Sequence, residues 1–396
     1  MRFHPFQLAP VLSMILATNS GCSLLSPSDY AGGQGQDGGA PAMPIELTGC
    51  DTTDRHLAPG GYYVHGNTIC TADGRSHLFH GVDRPSLEWR TDGENLSAAD
   101  FALMASWKAN VVRVALNQDF WLMGSKFYDP TYATRVDSVV AWAEAAGLDV
   151  ILDLHWSDQG MLGSCSPSKG CQQFMADINS KTFWTEVATR YKGDGRVLFE
   201  LYNEPHDVPW TTWQKGGTTG SGWEVVGMQQ LYDAVRAAGA DNLVIVGGLN
   251  WAFDLSGVAT NRIAGYNIMY ATHPYDSPDR SPGRWNAAWG YLTKTDPVIV
   301  TEFGDLGGTC ATEYSAQLIA YADLHAASWT AWAWYPGGCT FPAIIEAWDG
   351  TPSAVGMVVK AALAKYHDPA PGGAGDGGPP ASEDGGTAAT DGGGAD

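Results

Sequence analysis

Two glutamates stand directly behind short apolar runs: Glu204 in Leu201-Tyr202-Asn203-Glu204-Pro205 follows Val197 to Leu201, and Glu302 in Val300-Thr301-Glu302-Phe303-Gly304 follows Pro297 to Val300. Apolar runs of this length bounded by turn residues read as buried strands, so both carboxylates are expected at a strand end, on one edge of a sheet. Two carboxyl groups that face each other there can divide an acid–base task. One, protonated, gives its proton to a leaving oxygen; the other, ionised, attacks or activates water, which is how a glycosidic bond is cleaved. Proximity helps to separate them, because a negative neighbour raises the pKa of the second group. Alone, Asn203-Glu204-Pro205 reads equally well as a helix N-terminal turn with a capping Asn. The second strand-end Glu weighs against that reading.

Eight strand-like runs must position these groups: Leu78 to Val82, Asn110 to Leu116, Asp149 to Leu154, Val197 to Leu201, Leu243 to Val246, Ile268 to Ala271, Pro297 to Val300 and Ser328 to Trp332. Most gaps hold an amphipathic helical segment, such as Tyr132 to Ala146, Lys181 to Tyr191, Trp223 to Ala238 and Thr312 to Ala326. Strand and helix alternate throughout, so the expected fold is α/β, a (β/α)8 TIM barrel. The 98 residues from Glu204 to Glu302 span three units at about 33 each, which suits an eight-unit barrel of roughly 250 residues. A hairpin before the first barrel strand, Tyr62 to Thr71 with His77 to His80 across Asp73-Gly74, is expected to plug the barrel floor. An open doubly wound sheet fits less well, because no Gly-rich phosphate loop follows a strand. Arg113 lies in Val111-Val112-Arg113-Val114, a run apolar on both sides, so its guanidinium should be buried at the rim.

From about Gly60 to Tyr366 the chain resembles glycoside hydrolase family 5, a retaining group of barrel glycosidases, through Leu201 to His206, Val300 to Gly304 and several single positions. The resemblance implies that Glu204 is the acid/base, that Glu302 is the nucleophile, and that Asn203 holds the substrate's 2-hydroxyl. It implies that Arg113 hydrogen-bonds the nucleophile and keeps it ionised. His155 in Asp153-Leu154-His155-Trp156 matches the family's strand-three His. His273 and Tyr275 in Thr272-His273-Pro274-Tyr275 match its strand-six pair, Tyr275 toward Glu302 and His273 toward substrate. Trp334 matches the platform beneath the sugar being cleaved. No cofactor is implied, and two His on different strands lack the close spacing of a barrel metal site.

With 43 acidic against 22 basic residues and a formal charge of -21, a nucleic-acid or anionic-membrane partner is not expected. Sixteen Trp and sixteen Tyr favour a polysaccharide, whose sugar faces stack on flat rings; Trp89, Trp121, Trp156, Trp210, Trp251 and Trp285 are candidates. The expected activity is that of an endo-β-1,4-glucanase acting as a monomer, with β-1,4-mannanase or another hemicellulase, on xylan or xyloglucan, as the alternative. A glucan transglycosylase and a non-catalytic sugar-binding lipoprotein are further alternatives. The expected organisation is an export signal over 1–21, a flexible linker over 22–49, the catalytic domain over 50–367 and a Gly- and Asp-rich tail over 368–396. Gly21-Cys22 resembles a lipoprotein cleavage site, which would anchor a secreted or cell-surface protein through Cys22, although Asn19 stands where such sites carry Leu. The six remaining Cys of an exported chain suggest disulfides. Fifteen pairings are open, and sequence neighbours suggest Cys50 with Cys70, Cys165 with Cys171 and Cys310 with Cys339.

Overall fold

The computed structural model describes residues 44–53 and 55–366. The expected export signal, the Cys22 anchor, most of the linker and the 368–396 tail lie outside the described residues. Three short strands come first, β1 (Tyr62–His65), β2 (Thr68–Thr71) and β3 (Ser76–His77), followed by eight barrel strands. These are β4 (His80–Arg84), β5 (Val111–Asn117), β6 (Asp149–Trp156), β7 (Val197–Glu200), β10 (Val244–Gly247), β11 (Ile268–Thr272), β12 (Val298–Val300) and β13 (Ser328–Ala331). All eight pair in parallel and close on themselves, β13 against β4, giving the expected (β/α)8 barrel. A two-stranded ribbon, β8 (Gly217–Thr218) with β9 (Glu224–Val225), sits outside it.

Helices cover the outer face, among them α1 (Ala98–Ser106), α3 (Tyr132–Ala145), α4 (Ile178–Tyr191), α6 (Met228–Ala237), α8 (Glu313–Leu324) and α9 (Ala354–Lys365), counting the short Gln118–Trp121, Trp210–Lys215 and Pro282–Ala288 as α2, α5 and α7. The strands read as unbroken apolar runs because both faces are buried. Val112, Val114 and Leu116 of β5 and Val150, Leu152 and Leu154 of β6 pack outward against the helical shell. Their neighbours on the opposite face of the pleat point into the barrel. There, Val111, Ile151, Leu198, Ile245, Met269 and Ile299 make an apolar layer at the N-terminal end, closed from below by Ile69, Tyr62 and Val64.

The floor is plugged as expected, but by a three-stranded meander. β1 and β2 turn tightly between His65 and Thr68, the strand after Asp73-Gly74 is only Ser76–His77, and His80 belongs to the barrel. The helix expected from Trp223 begins at Met228, because Glu224 and Val225 pair with β8. Residues 45–49, expected as the end of the linker, are docked: Ile45 N donates to Leu324 O at 2.9 Å and Thr48 N to Asn67 Oδ1 at 2.8 Å. Disulfides join Cys50 to Cys70, Cys165 to Cys171 and Cys310 to Cys339. The last ties the loop after β12 to the loop after β13.

Candidate active site

One step up each strand from the apolar floor, the inward positions become polar. Val111 is followed by Arg113, Ile151 by Asp153, Leu198 by Glu200 and Ile299 by Thr301, all at or near zero exposure. Arg113 is the hub of this layer. Its Nε donates to Glu200 Oε2 at 2.5 Å, Nη1 to Glu302 Oε1 at 2.6 Å, and Nη2 to Asn203 Oδ1 at 2.6 Å. Asp153 lies 3.0 Å from Nη2 and Asp83 3.4 Å from Nη1. A rigid, permanently charged fork can hold several acceptors in one plane, which a lysine cannot.

Glu302 receives a second donor on its other oxygen, Tyr275 Oη at 2.7 Å. His273, fully buried, places Nδ1 3.1 Å from Glu204 Oε1 and 3.8 Å from Glu302 Oε2, while Nε2 meets Thr301 Oγ1 at 2.9 Å. Thr301 in turn donates to Glu200 at 2.8 Å. His155 Nδ1 is 2.7 Å from Asp153 Oδ2, and its ring stacks on Trp332 at 5.6 Å and 12°. The Asn203 amide oxygen faces Arg113, so Nδ2 is turned toward His155 Nε2 and Gln172 Oε1, each 3.4 Å away.

These contacts set the charges. Burial alone would raise Glu302, but His273, Arg113, His155 and the Tyr275 hydroxyl bring it down to about 2. Burial would strip His273 of its proton, yet Glu302, Glu200 and Glu204 raise it to about 10. His155 is raised to about 9 against burial, chiefly by Asp153. Glu200 is also lowered, by Arg113 and His273 against the cost of burial. Burial drives Asp83 upward despite Arg113 beside it. The nucleophile position is therefore an anion surrounded by donors and cations.

Carboxylate oxygens of Glu204 and Glu302 and a ring nitrogen of His273 all lie within 4.8 Å of one another. Such a trio has the donor types of a metal site. Both nitrogens of the His273 ring are engaged, Nδ1 with Glu204 and Nε2 with Thr301, so an ion here would have to displace one of these contacts.

A cleft of about 570 Å³ opens over this layer, bounded by His155, Asn203, Glu204, Tyr275, Glu302, Trp251 and Trp332. Seven of the eight residues expected at the site are thus in one cluster: Glu204, Glu302, Arg113, His155, Asn203, His273 and Tyr275. Trp334 is not among them. It is fully buried, packs edge-on against Trp107 at 4.8 Å and donates from Nε1 to Asp100 Oδ1 at 2.9 Å. The strand ends at Ala331, so its two-residue alternation does not carry on to Trp334, and Trp332 faces the cleft instead.

Of the six aromatic candidates for sugar stacking, only Trp251 borders this cleft. Trp121 and Trp285 are core, and Trp89 packs on Tyr335 and Phe341. Asp83, Asp153, Glu200 and Thr301 are site residues beyond those expected from sequence. For Asp153, Glu200 and Thr301 the signal was their place two residues above an apolar inward position on the same strand; Asp83 stands above Gly81 and carries no such mark.

A parallel barrel with this charge layer at the C-terminal strand ends defines a barrel enzyme built for two-carboxylate chemistry. The family model for cellulase, glycosyl hydrolase family 5, matches residues 70–338, and the chain belongs to that family. Among curated relatives, Endoglucanase 5 of Pectobacterium carotovorum is 27% identical over 216 residues, 54% of this chain and 38% of the relative. Endoglucanase CelA of Streptomyces lividans is 26% identical over 329 residues, 78% of this chain and 65% of the relative. The chain thus spans less than two thirds of the length of these relatives. A solved β-glucanase from Saccharophagus degradans superposes with a TM-score of 0.63 at 23% identity, covering 82% of this chain and 98% of that one; the same enzyme has been solved with cellotetraose.

Proposed function

We propose that the protein is an endo-acting β-1,4-glucanase that hydrolyses its substrate with retention of anomeric configuration. The observation that carries this reading is the unequal pair: Glu302 is held at about 2 among cations and donors, while Glu204, with oxygens of both groups inside 4.8 Å, has one hydrogen-bond partner among the described residues, His273. Retaining enzymes place their carboxyl groups about 5 to 5.5 Å apart, and inverting ones leave roughly 6.5 to 9.5 Å for a water.

In the first step a Glu302 oxygen attacks the anomeric carbon, the bond to the leaving oxygen breaks, and Glu204 supplies that oxygen with a proton. In the second, Glu204 takes a proton from water as it attacks the anomeric carbon, and Glu302 departs as a carboxylate. Arg113 and Tyr275 keep Glu302 ionised and aimed, one on each oxygen. Asn203 Nδ2, its amide fixed by Arg113, faces the cleft side where a sugar hydroxyl can accept from it. Trp332, stacked on His155, offers a flat apolar floor to the ring being cleaved. The relatives' endoglucanase names and the cellotetraose bound by the structurally similar β-glucanase support a β-glucan as substrate.

Reducing-sugar release from carboxymethylcellulose and from galactomannan tests the sugar; activity on mannan alone would replace glucanase by mannanase. NMR of the first-formed product tests the mechanism, with the β-anomer expected. Glu302→Gln should lose about 10⁴-fold or more in kcat with folding intact. Glu204→Gln should lose less on a substrate with an activated leaving group than on a glucan, because such a group departs without a proton. Comparable losses on both substrates would refute the assignment of Glu204.

A further inference from the structure

At the cleft edge, Asn250, Trp251 and Ala252 all adopt left-handed backbone, with φ of 57°, 59° and 56°. Asn tolerates this conformation, but an indole side chain and an alanine rarely enter it, and three in succession persist only where surrounding contacts enforce them. Two contacts come from the flanking chain, Leu249 N to Asp254 O at 2.9 Å and Asp254 N to Leu249 O at 2.8 Å. A third ties Trp251 N to Pro205 O at 3.0 Å, next to Glu204. The fourth comes from a distant loop: Arg280 donates through Nη2 to Asn250 O at 3.1 Å and through Nη1 to His273 O at 3.0 Å.

Arg280 is itself anchored. Its carbonyl accepts from buried Trp285 Nε1 at 2.9 Å, and its guanidinium lies 5.4 Å from the centre of the Phe253 ring. What the strained turn presents is Trp251, 37% exposed, with one indole face stacked on His206 at 3.6 Å and 8° and the other left for the cleft. Because Glu204 protonates the leaving oxygen, the sugar beyond the cleaved bond lies on the Glu204 side, which is the side that carries Pro205, His206 and Trp251.

We propose that Arg280 is a positioning residue: by bridging the carbonyls of Asn250 and His273 it holds the left-handed turn and keeps the Trp251 indole flat beneath the leaving-group sugar. The inference rests on the hydrolase reading above. Without the bridge, the turn relaxes toward right-handed backbone and the ring swings off its His206 support. A lysine at 280 supplies one point donor and cannot span both carbonyls.

The test compares Arg280→Met, Arg280→Lys, Trp251→Ala and the Trp251→Ala/Arg280→Met double variant with the wild-type chain. Cellopentaose has a sugar leaving group and 4-nitrophenyl cellobioside an aryl one. Arg280→Met should lose about tenfold in kcat/KM on cellopentaose, mainly through KM, and several-fold less on the aryl substrate, with Arg280→Lys close to Arg280→Met. The double variant should fall no further than Trp251→Ala, since both changes remove one platform. Equal losses on the two substrates, or additive losses in the double variant, would overturn the proposal, as would full activity of Arg280→Lys. If the wild type cuts mannopentaose instead, the polymer choice fails and the same ratios are read on that sugar. A wild type that cuts no oligosaccharide removes both readings at once.

Discussion

The two ends of the barrel interior are built by the same strands yet obey opposite rules. At the floor, Val111, Ile151, Leu198 and Ile299 point inward and pack together in one apolar cluster; two residues further along, Arg113, Asp153, Glu200 and Thr301 point inward into a network of charges. The floor is covered by the β1–β3 meander and needs no function beyond packing. The rim is open to the cleft on one side and keeps its ions only because each carboxylate has a cation or a donor within reach. Stability is thus concentrated at one end, and at the other it is spent on pre-organised charge.

The largest separation of the two ends should come from Arg113→Met. Removing the guanidinium leaves Glu200, Glu302 and Asp153 buried without their shared counter-ion, a loss on the order of 3–5 kcal/mol in stability, with activity falling sharply as Glu302 loses its main aiming donor. Denaturant unfolding and kcat/KM measured together check this. A variant as stable as wild type would mean that the rim is not a charge network at all. Ile151→Ala, two residues from Asp153 on the same strand, should cost roughly 2–5 kcal/mol in stability while leaving kcat/KM per folded molecule almost unchanged. Should activity collapse with it, floor and rim would be one mechanical unit and the comparison would fail.

A finer contrast lies in two tryptophans two residues apart. Trp332→Ala should weaken catalysis by about tenfold or more and leave the melting temperature nearly intact, because the ring borders the cleft over His155. Trp334→Phe should do the reverse, losing about 1–3 kcal/mol of stability because buried Asp100 gives up the indole donor, with little change in kcat. If the effects were exchanged, Trp334 would be the platform that the sequence resemblance implied.

That pair marks where sequence reading stopped. The eight strands were legible because burial on both faces writes each as an apolar run, and Glu204 and Glu302 because they close two of those runs. Arg113 was legible because a cation inside such a run has no solvent to reach. Asp153 and Glu200 were equally inside runs, but nothing local marks them as site residues, since only the pleat of a closed barrel turns them toward Arg113. Trp334 was assigned by resemblance, and no local pattern tells it from Trp332, because the strand ends at Ala331 before either residue. The floor meander was misdrawn because its strands are two to four residues long, too short for a period to show. The unequal charges of the site are a property of three-dimensional neighbours and are written in no local pattern.

Histidines at the two ends offer the smallest test and the one that isolates electrostatics from packing. At the floor, His77 packs between Tyr62 and Phe79, its Nε2 is buried with no hydrogen-bond partner among the described residues, and burial, helped by Arg75, lowers it to about 4. At the rim, carboxylates raise the fully buried His273 to about 10 despite the greater cost of its burial. Between about 4 and 6.5 the unfolded chain binds more protons at His77 than the folded one, so this residue makes stability fall as pH is lowered through that window. Between about 6.5 and 10 the folded chain binds more at His273, whose contribution is complete below 6.5 and is lost as pH rises toward 10. Each slope is at most about 1.4 kcal/mol per pH unit, and only part of either window is crossed between roughly pH 5 and 8. Melting temperature against pH should therefore flatten on the acid side in His77→Phe and on the alkaline side in His273→Gln. If either substitution flattened the opposite side, charge would not be partitioned between floor and rim, and the polarity of the barrel interior would need another cause.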